Sequence, residues 1–431
     1  MNWREKYKDK IVSTADEAVK IVQNGDFVFF QQGHAENKAL VAALVQRATE
    51  LEGIKMHCHN HWGPSEYSKP GMEGHFKAHS NFLGTPNRKD CHEGRVEFLP
   101  LFYHQTDDLY SNTMTPDVFF LMTSPPDENG ICSLGLSVDY SVACIRSAKK
   151  IICQINPAMP RTCGNSFNLE DAAVILELEE PLTEISMGEI GEVERQIAAH
   201  IAPMIHDGDC LQLGLGGIPN CVLYNLRDRK DLGIHSELFS DGVVDLYREG
   251  VITNQLKNYN KGKFVANFLV GSHKLFDFVD NNPDVLVLPV GITNDPREIA
   301  KNDNMVSINS CLQVDLYGQV NAETINGKEY GGIGGQVDFV RGAQMSKGGR
   351  SIITVKSTAK NDTVSNIVST FSPYTVVTTS RYDVQYICSE YGIVNLHGLM
   401  VSQRAKALIS IAHPKFREQL RIEAKGAGIL F

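Results

Sequence analysis

Short runs that are apolar almost throughout recur along the chain: FVFF at 27–30, VFFLM at 118–122, KIIC at 150–153, VLVLPV at 285–290 and IITV at 352–355. Between them lie stretches with one apolar face, such as ADEAVKIVQN at 15–24 and VERQIAAHIAPMIHD at 193–207. The first kind predicts strands buried on both faces, and the second predicts helices. Buried strands alternating with helices predict a parallel sheet covered on both sides, which is an α/β architecture.

The pattern also repeats. In the first half a helix is followed by NGDFVFFQQG (24–33), a second helix and EGIKMHCHNH (52–61). In the second half a helix is followed by DGDCLQLGLG (207–216), a second helix and LGIHSELFSD (232–241). Two similar open α/β halves follow, and aligning Gly53-Ile54 with Gly233-Ile234 sets His57 opposite Glu237. Between the halves, ELEEPLTEISMGEIGEVE (177–194) is acidic and carries Pro181, Gly188 and Gly191. That change in composition sets a boundary near residue 188, giving domains 1–187 and 188–431. Ligands of open parallel sheets lie beyond the carboxyl ends of the strands, so both aligned positions are site candidates.

With 431 residues the chain is too long for one ordinary core, and two domains suit it. A formal net charge of -10 without any basic block argues against a nucleic-acid surface. The charged start MNWREKYKDK is not a secretory signal, and no apolar run is long enough for a membrane span. Ten cysteines without a CxxC pair fit reduced thiols, hence a cytoplasmic protein with no membrane partner.

Glu237 breaks the apolar pattern of LGIHSELFSDGVVDL, where a carboxylate is either an exposed or ion-paired strand residue or a group facing a cleft. Two glycine-rich stretches bear on that choice. QLGLGGIPN (212–220) follows a strand and opens a helix, and EYGGIGGQVDFVRGA (329–343) has four glycines in five positions. Glycines let backbone N–H groups approach an anion, although a simple wide turn has the same composition. Neither stretch has the spacing of a dinucleotide or nucleoside triphosphate loop. The alternating His57, His59 and His61 could share one strand face and hold zinc, but no HExxH helix accompanies them. GNSFN (164–168) departs from a nucleophile elbow at its last position.

With these segments placed, the chain resembles the acetyl-CoA hydrolase/transferase family of class I CoA-transferases nearly end to end. The matching motifs are SPPDENGICSLG (124–135), LQLGLGGIP (211–219), LGIHSELFSDGVVDLY (232–247), INSCLQVDLYGQV (308–320) and GGIGGQVDFVRGA (331–343), followed by EYGIVNLHG and RAKALISIAHPKFR. In GHAEN (33–37) the proline that commonly follows the AE pair in relatives is absent.

The resemblance implies two similar CoA-transferase domains with the active site between them and Glu237 as the nucleophile. It implies that Gly214, Leu215, Gly216, Gly217 and Ile218, with Gly335 and Lys360, contact CoA, and that Gln212 helps hold the oxyanion. It further implies a homodimer that uses an acyl-CoA and a short-chain carboxylate, with no metal and no separate cofactor. The acyl group expected is 4-hydroxybutyryl, exchanged with acetyl-CoA; butyryl-CoA:acetate exchange and acetyl-CoA hydrolysis are the alternatives. Glu390, in SEYG, is the rival carboxylate. A non-catalytic CoA sensor is the reading from a different class.

Overall fold

A computed structural model describes residues 2–185 and 190–431. The chain divides into two compact units, Met1–Ile185 with Val265–Thr293 and Ser186–Phe264 with Asn294–Phe431. The boundary expected near Gly188 lies outside the described residues. No helix among those described is long and apolar enough to cross a membrane.

The first unit is built on eight strands: β1 (Ile11–Val12), β2 (Phe27–Phe30), β3 (Ile54–His57), β4 (Phe76–Ser80), β5 (Val96–Phe98), β6 (Val118–Thr123), β7 (Lys150–Ile155) and β8 (Val174–Glu177). Their order is β1-β8-β7-β6-β2-β3-β4-β5, and every pairing is parallel. All six residues of β6 are buried, as an apolar run without alternation requires when helices cover both faces. One covering helix, α1 (Lys38–Gln46), buries Leu40, Val41, Ala43 and Leu44 against Val28, Phe30, Ile54 and Met56.

In the second unit a sheet of six strands has the order β10-β9-β11-β12-β13-β14. The strands are β9 (Cys210–Leu213), β10 (Gly233–Ile234), β11 (Met305–Ser310), β12 (Arg350–Thr354), β13 (Tyr386–Ser389) and β14 (Gly392–Asn395). All pairs are parallel except the last, where β13 and β14 form a hairpin. A core of Val314, Val340, Ile353, Ile387, Leu408 and Leu420 packs on this sheet.

The repeat read from the sequence is present down to its turns. The order β3-β2-β6-β7-β8 in one sheet matches β10-β9-β11-β12-β13 in the other. Gly25 and Gly208 enter β2 and β9 with φ of 78° and 79°, which glycine adopts without strain. The next residue makes the same local bond in both: Asp26 Oδ2 accepts from Gln23 N at 2.8 Å, and Asp209 Oδ2 accepts from His206 N at 2.7 Å. Register corrects one detail. Val28 pairs with Met56, whereas Leu211 pairs with Ile234, so Glu237 corresponds to His59 and not to His57.

Several elements differ from the sequence expectation. The helix at 15–24 is α-helical only over Ala15–Ala18 and tightens to a 3-10 turn at Val19–Ile21. The one expected at 193–207 is α2 (Glu192–Ile201), stopped by Pro203 in the 3-10 turn Ala202–Met204. VLVLPV shortens to Val285–Val287 and stands outside the two large sheets. Strand β3 ends at His57, so the three alternating histidines do not line one strand face.

Those histidines are packed separately. His57 Nε2 lies 2.7 Å from the Tyr110 hydroxyl, His59 stacks on Tyr103 with ring centroids 4.1 Å apart, and His61 Nδ1 lies 2.9 Å from Glu36 Oε1. Among the described residues no group of three or more His, Cys, Asp or Glu side chains is placed to hold a metal ion.

Burial lowers His59 to about 3, and burial followed by the Lys38 charge lowers His34 to about 4. Both are neutral in the folded protein at pH 7 and would gain a proton on unfolding below about pH 6.5. Their contribution is therefore complete above that pH and is lost as the pH falls toward 4 and 3. At pH 5 the loss is about 2 kcal/mol for each. The expected result is a marked drop in Tm between pH 7 and pH 5 in thermal scans; a flat Tm over that range would contradict it.

Candidate active site

The second unit alone carries Glu237 and both glycine loops. After β10 the chain stays stitched to β9: His235 N donates to Leu211 O at 3.1 Å, and the Ser236 hydroxyl donates to Leu213 O at 3.2 Å. Lys257 secures the start of this segment, with Nζ donating to Ile234 O at 2.7 Å and Lys263 O at 2.6 Å. Burial lowers Lys257 to about 8, and its stem packs where a side chain on Gly233 would be. The strand end is thus rigid, and Glu237 follows it half-buried, ahead of the helix Asp241–Arg248.

Glu237 meets the second glycine loop directly. Its Oε2 accepts from Asn294 Nδ2 at 2.8 Å. A Cβ on Gly335 would stand 2.0 Å from that same oxygen and 2.3 Å from the Asn294 amide nitrogen. Gly335 has φ −90°, so glycine is required here for close approach and not for backbone conformation. Gly335 precedes the helix Gln336–Met345, and the Gln336 amide donates to Ser310 O at 2.8 Å. Ser310 ends β11 and lines a cleft of about 580 Å³.

Four of the expected CoA contacts line that cleft together: Leu215, Gly217 and Ile218 from the first glycine loop, and Lys360. Gly216 has φ 112° and turns the chain into the helix Gly217–Tyr224, whose first N–H groups receive no side-chain cap. Nothing lies within 4 Å of where a Cβ on Gly214 would be, so that glycine borders open space. Lys360, Asn361 and Asp362 all have positive φ in the turn between Thr358–Ala359 and Val364–Ser365. Only a well-supported turn keeps a lysine in that region.

Two other carboxylates and amides have defined duties. Glu390 holds the strand leading to the lysine turn, accepting from Ser357 N at 3.0 Å and from the Ser357 hydroxyl. Both its oxygens are engaged with Ser357. Gln212 pairs with Asn309 on the neighbouring strand: Nε2 donates to Oδ1 at 3.3 Å, and Asn309 Nδ2 donates back at 3.1 Å. This bond uses one of the two N–H groups of the Gln212 amide.

Asn294 and Lys257 were missed in the sequence. Asn294 stands before Asp295-Pro296, which reads as an ordinary helix-starting turn, and Asp295 does cap Arg297 N. Lys257 sits among polar loop residues with no apolar pattern to mark it as buried. Neither carries a local signal, because each acts on residues distant in sequence.

The arrangement can present a carboxylate oxygen to an electrophile beside a glycine backbone, while the cleft with room for an extended ligand is lined by the first glycine loop and Lys360 and not by Glu237 or Gly335 themselves. Comparison with known proteins gives this arrangement its context. Residues 1–180 match the acetyl-CoA hydrolase/transferase N-terminal domain, and residues 271–424 match the C-terminal domain of the same family. The chain is 45% identical over 427 residues to a Clostridium kluyveri protein named 4-hydroxybutyrate coenzyme A transferase, covering 99% of each. It is 40% identical to a succinyl-CoA:cyclohexane-1-carboxylate CoA transferase of Geobacter metallireducens, covering 98% of this chain and 97% of the other. A crystal structure of 4-hydroxybutyrate CoA-transferase from Porphyromonas gingivalis superimposes with a TM-score of 0.85 at 36% identity, covering 99% and 100% of the two chains. The chain belongs to the acetyl-CoA hydrolase/transferase family.

Proposed function

We propose that the protein transfers CoA between a short-chain acyl-CoA and a carboxylate, with Glu237 as the nucleophile. The observation that carries this reading is the Glu237 carboxylate, fixed by Asn294 and set against the backbone of Gly335. A carboxylate attacks well only when a few fixed partners replace its water shell, and this is such a setting.

In the reaction, one Glu237 oxygen attacks the thioester carbonyl of the acyl-CoA. The C–S bond breaks, giving a glutamyl-acyl anhydride and CoA thiolate. The thiolate then attacks the glutamyl carbonyl, the acid leaves as its carboxylate, and a glutamyl-CoA thioester remains. An incoming carboxylate repeats the two steps in reverse and departs as the new acyl-CoA. One thioester replaces another, so the exchange is nearly balanced in energy, and in this scheme no cofactor enters besides the CoA substrate itself. Each attack places negative charge on a carbonyl oxygen, which backbone N–H groups of a glycine loop can stabilise.

The acyl group proposed is 4-hydroxybutyryl, with acetyl-CoA or acetate as the exchange partner. The 45% identity to the Clostridium kluyveri protein of that name supports the choice. The protein is further read as a cytoplasmic homodimer; none of its ten cysteines is joined in a disulfide among the described residues, in keeping with a reducing compartment.

Incubation with acetyl-CoA alone is expected to leave a CoA-sized thioester on Glu237, detected by mass spectrometry of the peptide. Borohydride should abolish the adduct, and 4-hydroxybutyrate should discharge it faster than water does. An adduct mapped to Glu390 would overturn the assignment. Discharge by water as fast as by any carboxylate would turn the reading to a hydrolase.

A further inference from the structure

The cleft that holds the expected CoA contacts contains a charge of the wrong sign for a polyanionic ligand. Glu194, from α2, lines it together with Lys356 and Lys360. Its carboxylate is paired with Lys356 Nζ at 2.5 Å, and the two side chains are 15% and 52% exposed. The bond to Lys356 holds the Glu194 carboxyl below its ordinary value, so the group is charged at neutral pH. The glutamate side chain runs directly over the first glycine loop: a Cβ on Gly217 would stand 3.0 Å from Glu194 Cγ.

CoA brings a pyrophosphate and a 3′-phosphate, and an uncompensated carboxylate in its cleft would repel them. A half-exposed Lys–Glu pair is worth about 0–1 kcal/mol, whereas a terminal phosphate offers the ammonium about −1.5 to −2 of charge and three strong acceptor oxygens. The existing pair is therefore easily exchanged for a phosphate.

We propose, resting on the CoA-transferase reading above, that Lys356 is a phosphate-recognising residue of this cleft and Glu194 its place-holder. In the empty cleft the carboxylate holds the ammonium beside Gly217, and a phosphate of incoming CoA takes the ammonium over. Glu194 thus sets affinity for the CoA portion of the substrate, independent of the acyl group it carries.

The test is equilibrium binding of CoA and of phosphate-free pantetheine to the full chain by calorimetry. Lys356→Gln is expected to weaken CoA about fivefold or more, and Lys356→Arg to restore binding to within about twofold. Glu194→Gln is expected to tighten CoA by roughly threefold. Pantetheine affinity should be the same in all forms. Unchanged CoA affinity in the Lys356→Gln form, weaker or unchanged binding by Glu194→Gln, or equal shifts for pantetheine would overturn the proposal and leave the transferase reading standing. A wild-type chain that binds no CoA would overturn both.

Discussion

Glu237→Gln is expected to lower CoA transfer by about ten-thousand-fold or more while leaving Tm close to that of the unaltered protein. Glutamine has the same shape, and its carbonyl oxygen can still accept from Asn294 Nδ2, so the local packing survives. What it lacks is an anionic oxygen able to form the anhydride. The loss should appear in kcat, with CoA binding little changed, because the cleft residues Leu215, Gly217, Ile218 and Lys360 are untouched. The thioester adduct should be absent as well. Turnover within tenfold of the starting enzyme would remove Glu237 from the mechanism.

Gly335→Ala is the second large effect expected, and its cause is different. The backbone at Gly335, with φ −90° and ψ 10°, is open to alanine, so the helix Gln336–Met345 should form as before. The added methyl would lie 2.0 Å from Glu237 Oε2, against a practical minimum of 3.0 Å. The carboxylate, or the Asn294 amide 2.3 Å from the same methyl, must move by roughly 1 Å. A displacement of that size at a reacting atom lowers rate by about a hundredfold, and any loss of a backbone donor to the oxyanion would add to it. Steady-state kinetics and a melting curve on the same sample check this: kcat should fall with Tm nearly unchanged. Equal kcat would show that the contact between residues 237 and 335 is not part of the chemistry.

The two substitutions separate the proposed nucleophile from its proposed cradle. Glutamine at 237 removes the reacting oxygen and leaves its position filled. Alanine at 335 leaves the oxygen and moves it. If only the first is harmful, the glycine loop is a turn and no more.

Much of this was legible along the chain. Uninterrupted apolar runs such as VFFLM forecast β6 because burial on both faces leaves no polar position, and all six residues of that strand are buried. The repeated Gly-Asp pair forecast two similar halves, since a left-handed glycine followed by an aspartate bonding back three residues is a local device. The carboxylate in HSELFS was visible as a break in an apolar run, but an exposed or ion-paired strand residue makes the same break, and the family resemblance was what made it the expected nucleophile.

Other features had no local trace. His57 looked like the counterpart of Glu237, yet strand register assigns His59, because pairing between strands is settled by the sheet and not by the spacing within one segment. Asn294 stands 57 positions from Glu237, and Glu194 lies 162 from Lys356, so neither pairing could be seen before folding. The sequence by itself determined the alternation of buried strands and helices and the doubling of the pattern, since both follow from burial and turn chemistry within a few residues; Glu237 was set above Glu390 only by the family resemblance. Only the tertiary structure decided what that carboxylate touches, because a hydrogen bond or a 2.0 Å approach depends on where distant segments cross, and solvent exclusion rather than local propensity brings them there.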